Sequence, residues 1–450
     1  MKRFTFHILP NAHLDPVWLW DWREGLDEGI TTTRTILDLM DEFPDLTFMR
    51  GEAAIYRHIE QHDRATFRRL ARRIAENRWE IVGGTFVQPD TNLPASETFL
   101  RHFLVGQRYF RETFGRKVRV AWAADSFGHS AGLPTLFEAA GIEGFSFSRP
   151  GNGILPLPRP AFWWKGAGSA RILSYRVPAG WYGNERDEMV KRLDDTFAAA
   201  PSWGMRNVGV YMGLGNHGGG PTRRQIGDLR LWAKRHPEVE VRFSGLHALL
   251  DAVRHEAVLR GADFLPSVRG ELNYCLRGCY TSMARFKFAY RKTEAGIYRG
   301  ETACAAAQAL TGKRHVVPAE AWDGLLFNTF HDILPGSSIE RAYDEQIEWL
   351  GGVAHTARRA EHEALREMAA GIDTTVAKPP PDHAAPVPFL IFNPHPWRMR
   401  CHVELESSLD YRPIWPFKDN PDKVPVVVTG PDGLPTPHQL VATEHSCTFG

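Results

Sequence analysis

Over the first half of the chain the apolar positions switch between short β-type runs and helical spacing. Residues 4–9 alternate weakly among strand-forming side chains and stop at Pro10-Asn11, which predicts a strand. Helical spacing over 31–42 is closed by Pro44, and a second helical stretch over 64–77 leads into the apolar run 79–82 and Gly83-Gly84. A helix over 97–114, a buried strand over 118–123, a helix over 133–140 stopped by Gly141, and strands over 144–148 and 208–212 follow. Strands alternating with helices predict an α/β fold with a mostly parallel sheet, open or closed into a barrel.

The pattern changes after about Asp263. Residues 281–310, 319–327 and 343–370 are long and helix-compatible, with no strand pattern between them, which predicts a helical bundle. Lys378-Pro-Pro-Pro-Asp382, followed by Pro386 and Pro388, reads as a stiff linker. Beyond it, 389–397 and 402–406 are strand-like, and 425–435 reads as a strand followed by a turn. So short a β region buries little core alone, so we expect the front part of a longer protein. The expected divisions are an α/β catalytic domain over 1–262, a helical bundle over 263–371, a linker over 372–388 and the start of a C-terminal β domain over 389–450.

Composition narrows the function classes. Lys plus Arg number 54 against 53 Asp plus Glu, a net charge of +1, so nothing general favours nucleic acid or an anionic membrane. No apolar stretch reaches the ~18 residues of a membrane span. The N-terminus, MKRFTFHILPNAHLD, has no apolar core of an export signal. Five cysteines suit a reducing compartment, and a cytoplasmic location is expected. Fourteen Trp and nineteen His are high, and Trp is a stiff platform for sugar faces as well as a core filler.

Three loops carry candidate chemistry. In Asn11-Ala-His13-Leu-Asp15-Pro16-Val-Trp18, directly after the first strand, His13 and Asp15 stand at i and i+2 and point to one side of extended chain. A turn with a solvated Asp explains the same pair. Asp125, in AWAADSFGHS, stands at the tip of another apolar run, where it either does chemistry or caps the next helix. His331-Asp332, in NTFHDILPGSS, links two bundle helices as ordinary loop residues or as a further imidazole and carboxylate. Together His13, Asp15, Asp125 and His331 form a mixed nitrogen and oxygen set that suits zinc. The loop GLGNHGGGPT lacks the ending of a phosphate loop. Cys275 and Cys279, with no second pair, read as incidental thiols.

The ordered blocks NAHLDPVWLW, AWAADSFGHS, GNHGGGPT, GELNYCLRGCYTS and FHDILPGSS resemble the signature segments of glycoside hydrolase family 38, the zinc-dependent retaining α-mannosidases. The resemblance covers about residues 1–405. It implies a barrel-like α/β domain of seven parallel strands, a three-helix bundle and β-sandwich domains. It also implies Zn2+ held by His13, Asp15, Asp125 and His331, with Asp125 doubling as the nucleophile. Zinc would chelate the mannose 2- and 3-hydroxyls and favour a distorted ring near the oxocarbenium-like transition state. Trp18, Phe127, Arg149 and Asp332 match sugar-subsite positions, and Asp90 of GGTFVQPD is a further carry-over.

One departure stands out. Where the family places an acidic general acid, GLGNHGGGPT carries Asn216 and His217. An amide cannot protonate a leaving group, whereas an imidazole can, so His217 is the expected acid, ahead of Asp187 and Asp194. The leading reading is therefore a retaining α-mannosidase acting on terminal α-linked mannose of oligosaccharides or small mannosides. Set against it are a catalytically impaired mannose-binding relic and a zinc-dependent sugar deacetylase. The expected partner is a mannoside, with no nucleic acid and no membrane, and a homo-oligomer is compatible with this reading.

Overall fold

The structure is a computed structural model that describes residues 3–178, 180–215, 217–273, 275–380, 385–407, 415–417, 419–420 and 423–439. The chain divides into two compact units, Met1–Tyr298 with Val317–Arg359, and Arg299–Val316 with Ala360–Gly450. Chain order gives β1 (Phe4–Pro10), α1 (Trp22–Glu42), β2 (Phe48–Arg50), α2 (Ala53–His62), α3 (Arg64–Ala75), β3 (Trp79–Ile81), α4 (Ser96–Phe114), β4 (Val120–Ala123) and α5 (Leu133–Ala139). There follow β5 (Gly144–Phe147), β6 (Ala161–Lys165), β7 (Arg171–Arg176), α6 (Met189–Trp203), β8 (Asn207–Met212), α7 (Arg223–Arg235), β9 (Val239–Phe243) and α8 (Leu246–Arg260). The last are β10 (Ser267–Arg269), α9 (Ala284–Thr311), α10 (Ala319–Phe327) and α11 (Glu340–Ala369).

Local chemistry sets these boundaries. The Asp21 carboxylate accepts the Arg23 N–H at the start of α1, and Asp63 accepts Thr66 N–H at the start of α3. Thr222 and Gln225 form a reciprocal capping box on α7. Helix α1 begins at Trp22 rather than at 31 because Gly25 and Gly29 hide its first turns from a propensity reading. Both glycines are packing requirements. A Cβ on Gly25 would stand 2.3 Å from the Pro16 carbonyl oxygen, and one on Gly29 would stand 2.9 Å from Ile55. Helix α1 thus lies directly against the loop that follows β1.

Among the described residues the strands form three sheets, ordered β8-β1-β9, β10-β6-β7-β5-β4 and β2-β3. This departs from the expected seven parallel strands of one barrel. Most pairs are parallel, with β1 between β8 and β9, but β6 and β7 are antiparallel, joined by a turn in which Gly166 N–H donates to the Ala170 carbonyl at 2.9 Å. The sequence pattern predicted no strand here, because nearly every position of the hairpin is at least partly buried and the strand-marking alternation is lost. Single contacts relate the sheets. Asn11 bridges to Met49, Val82 N–H donates to Arg50 at 3.1 Å, and Gly83 N–H donates to Val120 at 2.9 Å. They bring the C-terminal ends of β1, β2 and β3 together, where loops of parallel strands build sites, and tie the end of β3 to the start of β4.

In the first unit one apolar core joins β1, α1 and β2 to Phe286 and Tyr290 of α9, Trp322 of α10 and Tyr343 of α11. Phe286 meets Tyr343 edge-on at 5.3 Å, and Phe327 stacks on Trp349 at 5.0 Å. The loop between α10 and α11 is therefore anchored on both sides.

In the second unit the late turns of α9 and α11 pair through Arg299–Glu361 at 3.1 Å and Lys313–Glu367 at 2.7 Å. The strand-like segments 389–397 and 402–406 form no strand among the described residues, and Phe389, Ile391 and Trp397 are exposed. Strand conformation needs a neighbour for its N–H and C=O groups, and none pairs there. The turn within 425–435 does form, with Gly430 N–H donating to Leu434 at 2.9 Å. No helix among the described residues is long and apolar enough to cross a membrane.

Candidate active site

Asn11 ends β1 by donating its amide to the carbonyls of Leu9 and Tyr182 at 3.2 and 3.0 Å. The turn it sets delivers His13 and Asp15 to one side, as the i and i+2 positions require, with His13 Nε2 2.8 Å from Asp15 Oδ1. From the α10–α11 loop, His331 Nε2 comes within 3.4 Å of the same oxygen. The two imidazoles face each other with centres 5.2 Å apart and planes 22° from parallel. His331 Nδ1 lies 2.9 Å from the Gln88 carbonyl, so this nitrogen carries the proton and Nε2 turns to the cluster.

All three residues are at most 3% exposed. Their facing atoms lie within 4.8 Å of one another. Despite these short separations, His13 Nε2, Asp15 Oδ1 and His331 Nε2 make no hydrogen bond of acceptable geometry. Each such buried orphan costs roughly 1–3 kcal/mol, an expense a fold sustains where a cation fills the gap. Two imidazole nitrogens and a carboxylate oxygen are a donor set that fits zinc. Burial pushes the Asp15 carboxyl up, but the His13 and His331 imidazoles overcome it and hold it at about 2. Burial lowers His331, yet Asp15, Asp332 and Asp125 together raise it to about 9.

Asp125, the expected fourth ligand, faces another partner. Arg149 Nε donates to its Oδ1, and the Tyr182 hydroxyl lies 3.4 Å from its Oδ2. Among the described residues the close ligand group comprises His13, Asp15 and His331. The Arg149 guanidinium lies 4.3 Å over Trp181 and 5.7 Å over Phe127, and Phe127 meets His331 edge-on at 5.9 Å. Asp332 is buried, with Oδ1 accepting Ser337 Oγ at 2.5 Å and Oδ2 3.9 Å from His331 Nε2. Burial raises its carboxyl to about 7 against the opposing pull of His331.

The remaining expected residues are placed differently. Trp18 is half-buried at the rim, edge-on to Trp20 at 5.7 Å. Asp90 is fully buried and already engaged, accepting the N–H groups of Asn92 and Leu93 and the Tyr280 hydroxyl. These bonds brace its own loop. His217 is exposed, with its ring 4.0 Å from Trp20 and its Nε2 3.4 Å from Glu24. Its backbone bridges Leu14, and Gly218 N–H donates to the His13 carbonyl at 3.0 Å, so its loop rides on the loop that carries His13 and Asp15. Asn216 lies outside the described residues. Asp194 accepts Trp232 Nε1 at 2.7 Å, and Asp187 is exposed.

Tyr182, which touches both His13, edge-on at 4.9 Å, and Asp125, escaped the sequence reading. Its signal was there: the adjacent aromatics Trp181-Tyr182 stand between Gly180 and Gly183, soon after β7.

Comparison with known proteins places the fold and this site in a class of carbohydrate-active enzymes. The "Glycosyl hydrolases family 38 N-terminal domain" matches residues 3–271, and the "Alpha mannosidase middle domain" matches 275–368. The chain belongs to glycosyl hydrolase family 38. It is 29% identical over 386 residues to "Alpha-mannosidase" of Saccharomyces cerevisiae, covering 81% of this chain and 34% of that protein. To "Alpha-mannosidase 2C1" of Homo sapiens it is 28% identical over 404 residues, covering 88% of this chain and 37% of that one. The chain thus spans little more than a third of the length of these relatives. Its fold is similar to a solved alpha-mannosidase from Enterococcus faecalis V583, with TM-score 0.70 and 21% identity over 85% of this chain and 44% of that one.

Proposed function

We propose that this chain carries the catalytic site of a retaining α-mannosidase that removes terminal α-linked mannose from oligosaccharides or small mannosides. The observation that carries this reading is the set of orphaned, buried His13, Asp15 and His331 atoms beside a carboxylate clamped by Arg149. His13, Asp15 and His331 would hold zinc, with Asp125 as a fourth ligand. When bound, the ion supplies positive charge and coordination positions for the sugar's 2- and 3-hydroxyls.

In this mechanism an Asp125 oxygen attacks the anomeric carbon as the glycosidic C–O bond breaks, giving a mannosyl ester. The leaving oxygen takes a proton from His217. Water then attacks the same carbon, gives its proton to His217, and frees Asp125 with the original anomeric configuration. Arg149 and Tyr182 orient the nucleophile, Phe127 and Trp18 offer faces to the ring, and Asp332 accepts hydroxyl hydrogen bonds. We place the protein in the cytoplasm, in keeping with its free thiols at Cys275, Cys279, Cys304 and Cys401.

A test is mass spectrometry of the full-length protein quenched during turnover of an activated aryl α-mannoside. A hexose added to the peptide containing Asp125 is expected, and an adduct elsewhere would move the nucleophile. A second reading, a mannose-binding relic, draws on the exposed position of His217 against Trp20 and Glu24. Mannose binding with no turnover in the full-length protein would favour it.

A further inference from the structure

The loop that leaves β3 passes between the two halves of the site and is tied down at each step. The first N–H groups of α2, on Ala53 and Ala54, donate to the carbonyls of Thr85 and Phe86 at 3.0 and 2.9 Å. Helix N-terminal donors have no partner inside the helix, so these bonds both satisfy them and pin the loop. Two residues on comes Gln88, 2% exposed. Its carbonyl faces His331 Nδ1 at 2.9 Å. Its side-chain Oε1 accepts the N–H of Ala124, the residue before Asp125, at 2.9 Å, and its Nε2 donates to Glu52 Oε1 at 2.6 Å. The next residues repeat the stitch. Ser126 Oγ donates to the Pro89 carbonyl at 3.0 Å, and Asp90 N–H donates to the Thr329 carbonyl at 2.8 Å.

An amide has one donor end and one acceptor end. Ala124 N–H only donates and the Glu52 carboxylate oxygen accepts, so the Gln88 side chain has a single satisfied orientation. Turned over, it would set oxygen against oxygen and N–H against N–H in a buried place. Glu52 is itself unusual. It is 6% exposed and has φ +62°, a left-handed conformation that non-glycine residues seldom adopt. It stands at the N-cap of α2 and makes no side-chain cap bond. A carboxylate at that position ordinarily caps its own helix. Here Thr85 and Phe86 cap the helix instead, and the carboxylate turns to Gln88.

We infer that Glu52 and Gln88 are positioning residues of this site. Glu52 fixes the Gln88 amide, and Gln88 sets the spacing between the His331 imidazole and the loop that carries Asp125. The inference rests on reading His331 as a metal ligand and Asp125 as the nucleophile.

The test uses the purified 450-residue chain. Gln88→Met keeps the side-chain length and removes both amide bonds. Glu52→Leu removes the acceptor, whereas Glu52→Gln retains one. Zinc affinity is measured by chelator competition, the absorption bands are recorded with cobalt in place of zinc, and the ring-nitrogen NMR signals of His331 are followed without metal. Gln88→Met and Glu52→Leu are expected to weaken zinc roughly 10–100-fold, the usual effect of losing a group that orients a ligand. Cobalt bands shift with them, Glu52→Gln stays within about threefold, and the double variant is no weaker than Gln88→Met, since both act through one bond. Equal zinc affinity in wild type, Gln88→Met and Glu52→Leu overturns the inference and leaves the metal reading standing. If the wild type itself binds no zinc, the metal reading falls. The metal-free His331 Nδ1–H signal then decides, its loss in Gln88→Met supporting positioning and its persistence overturning it. Should Gln88→Met fail to fold, Glu52→Leu and Glu52→Gln replace it: weaker zinc in the first alone supports positioning, and equal affinity in both overturns it.

Discussion

The Arg149 guanidinium donates through Nε to Asp125 Oδ1 while its flat face rests 4.3 Å over the Trp181 ring. Sequence reasoning matched Arg149 to the sugar subsite through the family resemblance; in the structure it clamps Asp125, leaving Oδ2 toward Tyr182. Lysine keeps the charge and loses both the planar fork and the stacking surface. Arg149→Lys is therefore expected to lower kcat of the full-length protein by roughly 10–100-fold with little change in KM. A raised KM at unchanged kcat would return Arg149 to simple substrate binding. Asp125→Asn should remove aryl α-mannoside turnover, on the order of a thousandfold or more.

Metal content is the most direct check on the three-residue centre. We expect about one zinc per chain, lost in His331→Ala. Chelation should lower the melting temperature of the wild type and leave that variant unmoved, because an ion that binds only the folded state stabilises it. Equal metal content in the two proteins would place the ion elsewhere.

The proton donor is tested by leaving groups. If His217 protonates the departing oxygen, His217→Gln slows alkyl mannosides far more than nitrophenyl mannosides, by a further ~10-fold or more. A uniform loss would assign His217 to the surface pair it makes with Glu24.

Stability should fall in mild acid. Burial holds His7 down at about 4 and His102 and His129 at about 3, against 6.5 in an unfolded chain. Below pH 6.5 the unfolded chain takes up protons that the folded one refuses. The stabilisation is complete above 6.5 and is lost as pH falls toward 4 for His7 and 3 for the other two. Each imidazole contributes up to about 1.4 kcal/mol per pH unit within its window. Urea midpoints that stay flat from pH 7 to 5 would contradict this.

Gly128 sets the path of the chain just after Asp125. It sits at φ +151°, and a Cβ there would stand 2.1 Å from Asn273 Oδ1, whose amide is also bonded to Asn92. Gly128→Ala should cost about 2 kcal/mol or more in a denaturant titration, and a neutral result would mean that Asn273 swings freely aside.

What could be read from sequence follows how local the rule is. His13 and Asp15 converge because extended chain has a period of two, and Asp125 stands at a strand tip as its apolar run implied. His331 has no fixed interval to them: its loop stood out as a further imidazole and carboxylate, but spacing could not join it to the others, and family resemblance made the ligand set specific. The Arg149–Asp125 pair and the Gln88 bonds were illegible, since loops from separate strands meet only once the sheet is built. The β6–β7 hairpin was missed because nearly every position on it is at least partly buried, which erases the alternation that marks a strand.

Gln88 and His331 are 243 residues apart in sequence, and the loop between α10 and α11 brings the last member of the His13, Asp15 and His331 cluster. During synthesis, a chain that has emerged only through α8 already owns His13, Asp15 and Asp125, yet it has no third close donor to close around an ion. Capture of an ion by this cluster would therefore not run ahead of the helices. It would act as a timing signal, marking the moment when the first and last parts of this unit have found each other.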